Sequence, residues 1–344
     1  MSHTLRFCDR ADVPRLMAFI DAYFRPGHPL ARHRDLFDWQ YANGDTYNLV
    51  IATDSTSDAI LGVLGFVDSA RYDPALALHN CVWLALWQVH PEARIPSLGL
   101  SLLKFIQEHV PHESLAVSGI RQVLVPLYRA MRFDVRVLRH YYLLNPAVRE
   151  LHLAVVPPGS PRQQLALRSD LQLLLTTKGT FADSVTDLHV QRHPLKSSAY
   201  FYNRYLSHPF YDYLVFEARR GATPVGLVAA RVVQHEGSRA LRIVDLMLEP
   251  ADLAGLAGPF LDLIVGTDCE YGDLLQSGLD DELLQAGGFS RVTPESGVIV
   301  PSYFEPFVQQ NTEIIACVRD RAAAPFLICK GDGDQDRPNL LERS

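Results

Sequence analysis

The stretch from Cys81 to Phe133 constrains this chain more than any other. It opens with Cys81-Val82-Trp83-Leu84-Ala85-Leu86-Trp87-Gln88-Val89, an apolar run of strand length. A turn punctuated by Pro91, Pro96 and Gly99 follows. Leu102, Leu103, Phe105, Ile106 and Val110 then recur at helical spacing. After a break at residues 111–113 come a second strand over 114–120 and a second helix over 123–133. The glycine-bearing turn sits where a strand delivers the chain to a helix N-terminus. Such a terminus favours an anion, because its first N–H groups are unpaired and the helix dipole is positive there.

Two phrases in this stretch carry a resemblance. Arg94-Ile95-Pro96-Ser97-Leu98-Gly99-Leu100-Ser101 is similar to a loop patterned R/Q-x-x-G-x-G/A, with Gly99 in place and fewer glycines than the pattern. Leu127-Tyr128-Arg129-Ala130-Met131-Arg132-Phe133 is similar to L-Y-x-x-x-G-F, with Arg132 where the pattern has glycine. Residues 5–145 resemble the acyl-CoA domain of the GNAT acyltransferase superfamily. That resemblance implies acetyl-CoA or another acyl-CoA as donor, with no metal. It implies that the amides around Arg94, Ser97, Leu98, Gly99, Leu100 and Ser101 hold the CoA pyrophosphate, and that Trp87, Gln88 and Val89 flank the thioester. It also implies that Tyr128 protonates the departing thiolate.

Length and charge narrow the alternatives. A chain of 344 residues is long for one domain and suggests two. Its 48% hydrophobic content suffices for packed cores. A net charge of −7 without a basic block argues against nucleic acid or an anionic membrane surface as main partner. The five cysteines are scattered and form no C-x-x-C pair, so they read as reduced buried thiols of a cytoplasmic protein. The N-terminus carries no signal-like apolar region, and no apolar run reaches bilayer length. A homodimer is compatible with all of this.

The remaining segments fit an α+β fold: two GNAT-like domains in tandem, each a mixed, mainly antiparallel sheet flanked by helices. The first, residues 1–148, opens with a strand over 5–8 and a helix that Asp12 caps ahead of Pro14. The passage 25–41 mixes His28, His33 and Arg34 with Phe37, Trp39 and Tyr41, which suits a polar-ligand pocket or a buried surface helix. A hairpin over 48–53 and 59–67 leads to the strand 81–89, where Trp83 and Trp87, four apart, would share a face of a regular strand. A single strand over 135–144 closes the domain, and a Pro-rich linker lies within 145–161.

The second domain, residues 149–344, repeats the outline: an aromatic-rich helix, a three-strand meander, a helix, a strand and the phrase ending Gly287-Gly288-Phe289. After its central strand stands the acidic Glu249-Pro250-Ala251-Asp252, so this half is expected to frame the acceptor and not to bind CoA. The tail Gly331-Asp332-Gly333-Asp334-Gln335-Asp336-Arg337 spaces three aspartates like the start of an EF-hand loop, but without its later glycine and glutamate. It reads as a polar substrate loop or a solvated turn. The tail and the phrase Leu36-Phe37-Asp38-Trp39-Gln40-Tyr41 resemble tandem GNAT-like proteins of bacterial surface-polysaccharide synthesis. The expected activity is therefore N-acylation of an amino sugar, with Trp39, Trp83, Asp334 and Arg337 as acceptor contacts. Candidate bases are His28, His33, Asp73, His90, Asp332 and Asp334; His28 and Asp332 are placed with Tyr128 as the catalytic set. The alternatives are a non-catalytic GNAT-like binding protein and acyl or aminoacyl transfer from a carrier.

Overall fold

The computed structural model describes residues 2–158, 169–181, 192–322 and 324–339, so the Gly159-Ser160-Pro161 part of the expected linker lies outside the described residues. Short apolar runs bounded by turns form β1 (His3–Asp9), β2 (Ala42–Asn43), β3 (Thr46–Asp54), β4 (Ile60–Asp68), β5 (Cys81–Val89), β6 (Ser114–Ile120), β7 (Asp134–Val137) and β8 (Arg139–Leu144). The later strands are β9 (Leu171–Thr176), β10 (Leu214–Arg220), β11 (Thr223–His235), β12 (Ser238–Leu248), β13 (Tyr271–Ser277), β14 (Ser290–Arg291), β15 (Tyr303–Phe304), β16 (Phe307–Val308), β17 (Ile315–Asp320) and β18 (Ile328–Cys329).

Two mixed sheets result, and they share one plan. The first runs β1-β3-β4-β5-β6-β17-β7, with β2 on β3; the second runs β9-β10-β11-β12-β13-β8-β14, with β18 on β13. Each sheet has one parallel pair, β5–β6 and β12–β13. The sixth strand of each sheet is exchanged. The apolar run over 135–144 is broken at buried Leu138, whose N–H bonds to Ile314, and β8 crosses into the second sheet. In return β17 enters between β6 and β7. A division at residue 148 therefore does not separate the sheets, and the single closing strand of the first half is two strands in two sheets.

Apolar periodicity decides what covers each face. The helices Val13–Phe19 and Arg34–Tyr41 put Leu16, Phe19, Leu36, Phe37 and Tyr41 on one face of the first sheet. The helices Leu98–His109 and Val125–Ala130 put Leu98, Leu102, Ile106 and Tyr128 on the other. In the second sheet the helix Ala257–Gly266 buries Phe260, Leu261 and Ile264 against Leu143, Ile243 and Leu274. A further cluster joins the sheets, with Val67, Trp83 and Ala116 on one side, Val215, Ala229, Val244 and Leu275 on the other, and Tyr200, Phe201 and Tyr205 between. Burying each large side chain contributes roughly 1.5–3 kcal/mol. Among the described residues no helix is long and apolar enough to cross a membrane.

The two halves also end corresponding helices alike. Phe133 donates its N–H to Tyr128 and Arg132 to Arg129; Phe289 donates to Leu284 and Gly288 to Gln285. This is the Schellman arrangement, whose penultimate residue takes the left-handed conformation. Gly288 does so at φ 117°, but Arg132 does so at φ 64° with a Cβ in the way. Replacing Arg132 by glycine is expected to raise stability by about 0.5–1 kcal/mol. Urea unfolding checks this, and a lowered midpoint would contradict it.

Candidate functional site

The first opening lies where β5 and β6 part. They pair in parallel from Cys81–Ser114 to Leu84–Val117; beyond that β5 stays with β4 while β6 stays with β17. Opposite β4, β5 carries one extra residue between Leu84 and Trp87. This bulge turns the strand over. Trp83 then faces the cluster between the sheets, whereas Trp87 packs with Leu102 and Tyr128 on the opposite face. The two tryptophans therefore do not share a face.

At the mouth of this opening the helix Leu98–His109 begins. Ser97 precedes it at φ 60°, and no acidic residue stands in its first turn. Gly99 faces Trp87 so closely that a Cβ there would lie 3.2 Å from the indole Nε1. Leu100 and Arg94 are exposed, Ser101 is half-buried, and the Gln88 side chain turns back to its neighbour Val89's carbonyl at 2.6 Å. The Leu98 N–H turns to the Ile95 carbonyl at 3.4 Å and the Ser101 N–H to the Ser97 carbonyl at 3.0 Å. The remaining first-turn amides of Gly99 and Leu100, with the exposed Arg94, fit an anionic pyrophosphate. Tyr128 lies edge-on to Trp87, with ring centroids 6.5 Å apart. Its hydroxyl makes no hydrogen bond among the described residues, and burial pushes its pKa up, so it stays protonated through the neutral range.

The corresponding opening in the second sheet is filled by the chain itself. β12 and β13 pair only from Ala240–Tyr271 to Ile243–Leu274, and β12 carries a bulge between Ile243 and Asp245. Into the gap beyond comes β18, followed by the Gly331 N–H bonded to Val244 at 2.7 Å and the Lys330 N–H bonded to Leu275 at 3.2 Å. Tyr128 has the apolar Leu284 as its counterpart in the second half, by position in the two helix ends.

From this gap the tail runs between the sheets, and its three aspartates separate. Asp332 lies 2.8 Å from the Lys196 ammonium, Asp334 pairs with Arg337, and Asp336 accepts from Arg231 at 2.8 Å and from Tyr213 at 2.7 Å. Each carboxylate turns to its own cation, so the EF-hand-like spacing builds no shared loop. Lys196 also reaches Asp245 at 2.6 Å, and Asp245 accepts from the Tyr205 hydroxyl at 2.7 Å. Burial alone would lower the Lys196 pKa; Asp245 and Asp332 outweigh it and raise it well above the usual value. For Asp332 burial dominates and raises the pKa despite Lys196. Asp245, Cys329 and Asp332 together have the donor set of a cation site, but the Lys196 ammonium already stands against both carboxylates.

Two chambers flank the tail. One, with room for about one water as it stands, is lined by Trp39, Tyr72, Arg204, His208, Asp334 and Arg337 among others. The second, a crevice too tight for a water, is lined by Trp83, Lys196, Tyr200 and Arg204 among others. Arg204 belongs to both. Its guanidinium lies 5.0 Å from the Tyr72 ring and donates to the carbonyls of Gly331 and Gly333, while its Nε–H is buried without a partner among the described residues. No carboxylate pairs with it among the described residues. These are the groups that recognise a polar, ring-bearing ligand with acceptor oxygens, although the space between them as it stands holds about one water.

The structure thus brings Trp39, Asp334 and Arg337 into one chamber and Trp83 into the next, and sets Tyr128 and Trp87 on the far face of β5. His28 is not placed as an open base. It is fully buried, its Nδ1 caps Leu30 at 3.1 Å and its Nε2 meets Arg337 at 3.1 Å. Burial, then Arg337 and Arg25, press its pKa down to about 3. Asp332 likewise is buried against Lys196 and holds the Cys329 N–H at 2.7 Å, so it anchors the tail. Asp73 receives the Ser197 hydroxyl at 2.5 Å, and His90 packs on Tyr23. The sequence reading missed Lys196, Arg204 and Asp245. Asp245 had a signal: a carboxylate inside Ile243-Val244-Asp245-Leu246-Met247-Leu248 is a buried polar residue in an apolar strand.

No protein-family profile and no curated protein matches this sequence. Solved structures do match its fold. A GCN5-related N-acetyltransferase from Anabaena variabilis is 11% identical with a TM-score of 0.55, over 93% of this chain and 73% of the other. One from Kribbella flavida is 12% identical with a TM-score of 0.54, over 93% and 71%. A probable N-acyltransferase from Enterococcus faecalis is 9% identical with a TM-score of 0.53, over 92% and 72%. At this identity the likeness shows that the fold is shared across nearly the whole chain.

Proposed function

We propose that this chain is an acyltransferase of the GNAT type, with acyl-CoA as donor and an amino sugar as acceptor. The observation that carries the reading is the parted and bulged pair β5–β6, with the N-terminus of the helix Leu98–His109 at its mouth. Acetyl-CoA or another acyl-CoA supplies the activated acyl thioester. In this reading the Gly99 and Leu100 amides and Arg94 bind its pyrophosphate, and Trp87, Gln88 and Val89 wall the thioester. The acceptor amine lies on the opposite side of the bulge, among Trp39, Asp334, Arg337 and Arg204. Tyr128 donates its phenolic proton to the departing sulfur. Because His28 is fully buried, with Nδ1 accepting from the Leu30 N–H, ordered water carries the proton away from the amine. The acceptor in this reading is a nucleotide-linked amino sugar for a bacterial surface polysaccharide; the aromatic walls and the Arg204 edge of the first chamber support it, and the space between them has to widen to admit it. The filled gap in the second sheet supports a single donor site, in the first.

One observation favours a second reading, a non-catalytic protein or a transferase fed by a carrier: the Trp87 indole lies against Gly99 and narrows the opening. Titration calorimetry of acetyl-CoA separates the readings. Micromolar binding is expected for the native chain. Gly99→Glu is expected to abolish it by repelling the pyrophosphate, while Gly99→Ala, which crowds Trp87 alone, is expected to weaken it less. No heat from any acyl-CoA with a folded protein would exclude acyl-CoA as donor.

A further inference from the structure

A third, narrow and partly open chamber, with room for about one water as it stands, shares Arg337 and Asp336 with the first. Its walls include Lys330, Ser302, Tyr303, Arg337, Arg231 and Arg242. Three polar atoms on these walls are buried without a hydrogen-bond partner among the described residues: the Lys330 Nζ, the Arg337 Nε and the Ser302 Oγ. Lys330 is 3% exposed and Ser302 1%. An unpaired buried donor costs on the order of 1–3 kcal/mol, and more when charged. Three on one chamber are therefore a feature that needs an account.

The neighbouring carboxylates do not supply one. Asp336 is taken by Arg231 and Tyr213, and Asp273 by Arg242, at 2.6 Å, and His140, at 2.9 Å. Glu305 accepts from Tyr211 and from the Asn339 N–H, both at 2.9 Å. None of them forms an ion pair with Lys330. The ammonium instead lies 4.6 Å from the Tyr303 ring, held there by the Lys330 N–H bond to Leu275. Arg337 spends one Nη on Asp334 and the other on His28, which leaves its Nε–H.

We propose that this chamber binds an oxyanion, the carboxylate or phosphate group of a small molecule, through the Lys330 ammonium, the Arg337 Nε–H and the Ser302 hydroxyl. All three groups can donate, and an oxyanion has enough lone pairs to accept from all of them. The chamber shares Asp336 and Arg337 with the first one, so a single ligand can reach both; only that clause rests on the acceptor reading given above. Without an anion, burial first, then Arg242 and Arg231, lower the Lys330 pKa to about 7, against the opposing pull of Asp336 and Asp273. A bound anion favours the charged ammonium, so binding and proton uptake are linked.

The chain has four lysines, at positions 104, 178, 196 and 330, which makes the test direct. The full chain, carrying ¹³Cε-labelled lysine, is titrated with acid and base alone, with inorganic phosphate and with acetate. No acyl donor is present, so the outcome is independent of the acyltransferase reading. One lysine signal, assigned by its loss in Lys330→Met, is expected to titrate near neutrality in the free protein. Phosphate or acetate is expected to raise its proton affinity at least about tenfold, and whichever does so more identifies the oxyanion. Ser302→Ala, a small change that keeps the backbone bonds to Arg242, is expected to weaken the effect about tenfold while the lysine signal remains. If neither anion moves the Lys330 signal in the folded native chain, water alone satisfies the three donors and the proposal is overturned.

Discussion

Replacing Lys196 by methionine is expected to cost about 3–5 kcal/mol of stability. Methionine keeps most of the stem's volume but removes the ammonium between Asp245 and Asp332, which lies 2.6 Å from one and 2.8 Å from the other. All three side chains are buried, so water cannot replace the lost partner. The Tyr205 hydroxyl and the Leu246 N–H still serve Asp245, and the Cys329 N–H still serves Asp332, but none of these carries a full charge. The loss is expected to depend on pH. A carboxyl whose folded-state pKa lies above its unfolded value destabilises as pH rises, because the unfolded chain releases its proton first. Asp332 is raised by burial even in the native protein, so the variant is expected to lose less at pH 5 than at pH 8. Urea unfolding at the two values checks both size and sign. A loss under about 1 kcal/mol, or one that grows on acidification, would show that the triad is not what fastens the tail between the sheets.

Tyr128→Phe is expected to lower kcat about 10²-fold with little change in KM, the signature of a group needed only as the sulfur departs. Stability is expected to stay within about 0.5 kcal/mol, because the hydroxyl makes no hydrogen bond among the described residues and the ring's contacts with Trp87 and Phe133 remain. Thiol release from acetyl-CoA in the presence of a panel of amino sugars measures the first, and thermal unfolding the second. Unchanged kcat in a folded Tyr128→Phe protein would leave Tyr128 as a core residue. The two variants separate cleanly: one acts on the fastening between the sheets, the other on the chemistry at the opening.

Much of the fold was legible because strands and helices here follow their apolar periods. The strands Cys81–Val89 and Ser114–Ile120 form where the spacing puts them, and the helix Leu98–His109 begins one turn earlier than its apolar spacing marks, with Gly99 inside it. The strand exchange was not legible, since nothing in the run 135–144 marks the crossing at Leu138; only the partner strand β17, some 175 residues later, decides it. The bulge in β5 was hidden for a similar reason. Its extra residue exists only relative to β4, and it puts Trp83 and Trp87 on opposite faces. At the candidate site, Trp39, Asp334 and Arg337 were singled out through the resemblance of their two phrases, and the structure sets them in one chamber. The pairing of each tail aspartate with a different cation could not, because Lys196 and Arg231 come from distant elements.

Hydrogen exchange with and without acetyl-CoA tests the central claim most directly, because it locates the donor without requiring the acceptor. Slowed exchange is expected over residues 85–101 and 125–133, around the parted strands and Tyr128, and none over 244–253, where β18 and Gly331 already fill the corresponding gap. Protection confined to 244–253, or none anywhere at saturating acetyl-CoA, would contradict the assignment of the donor site to the first sheet.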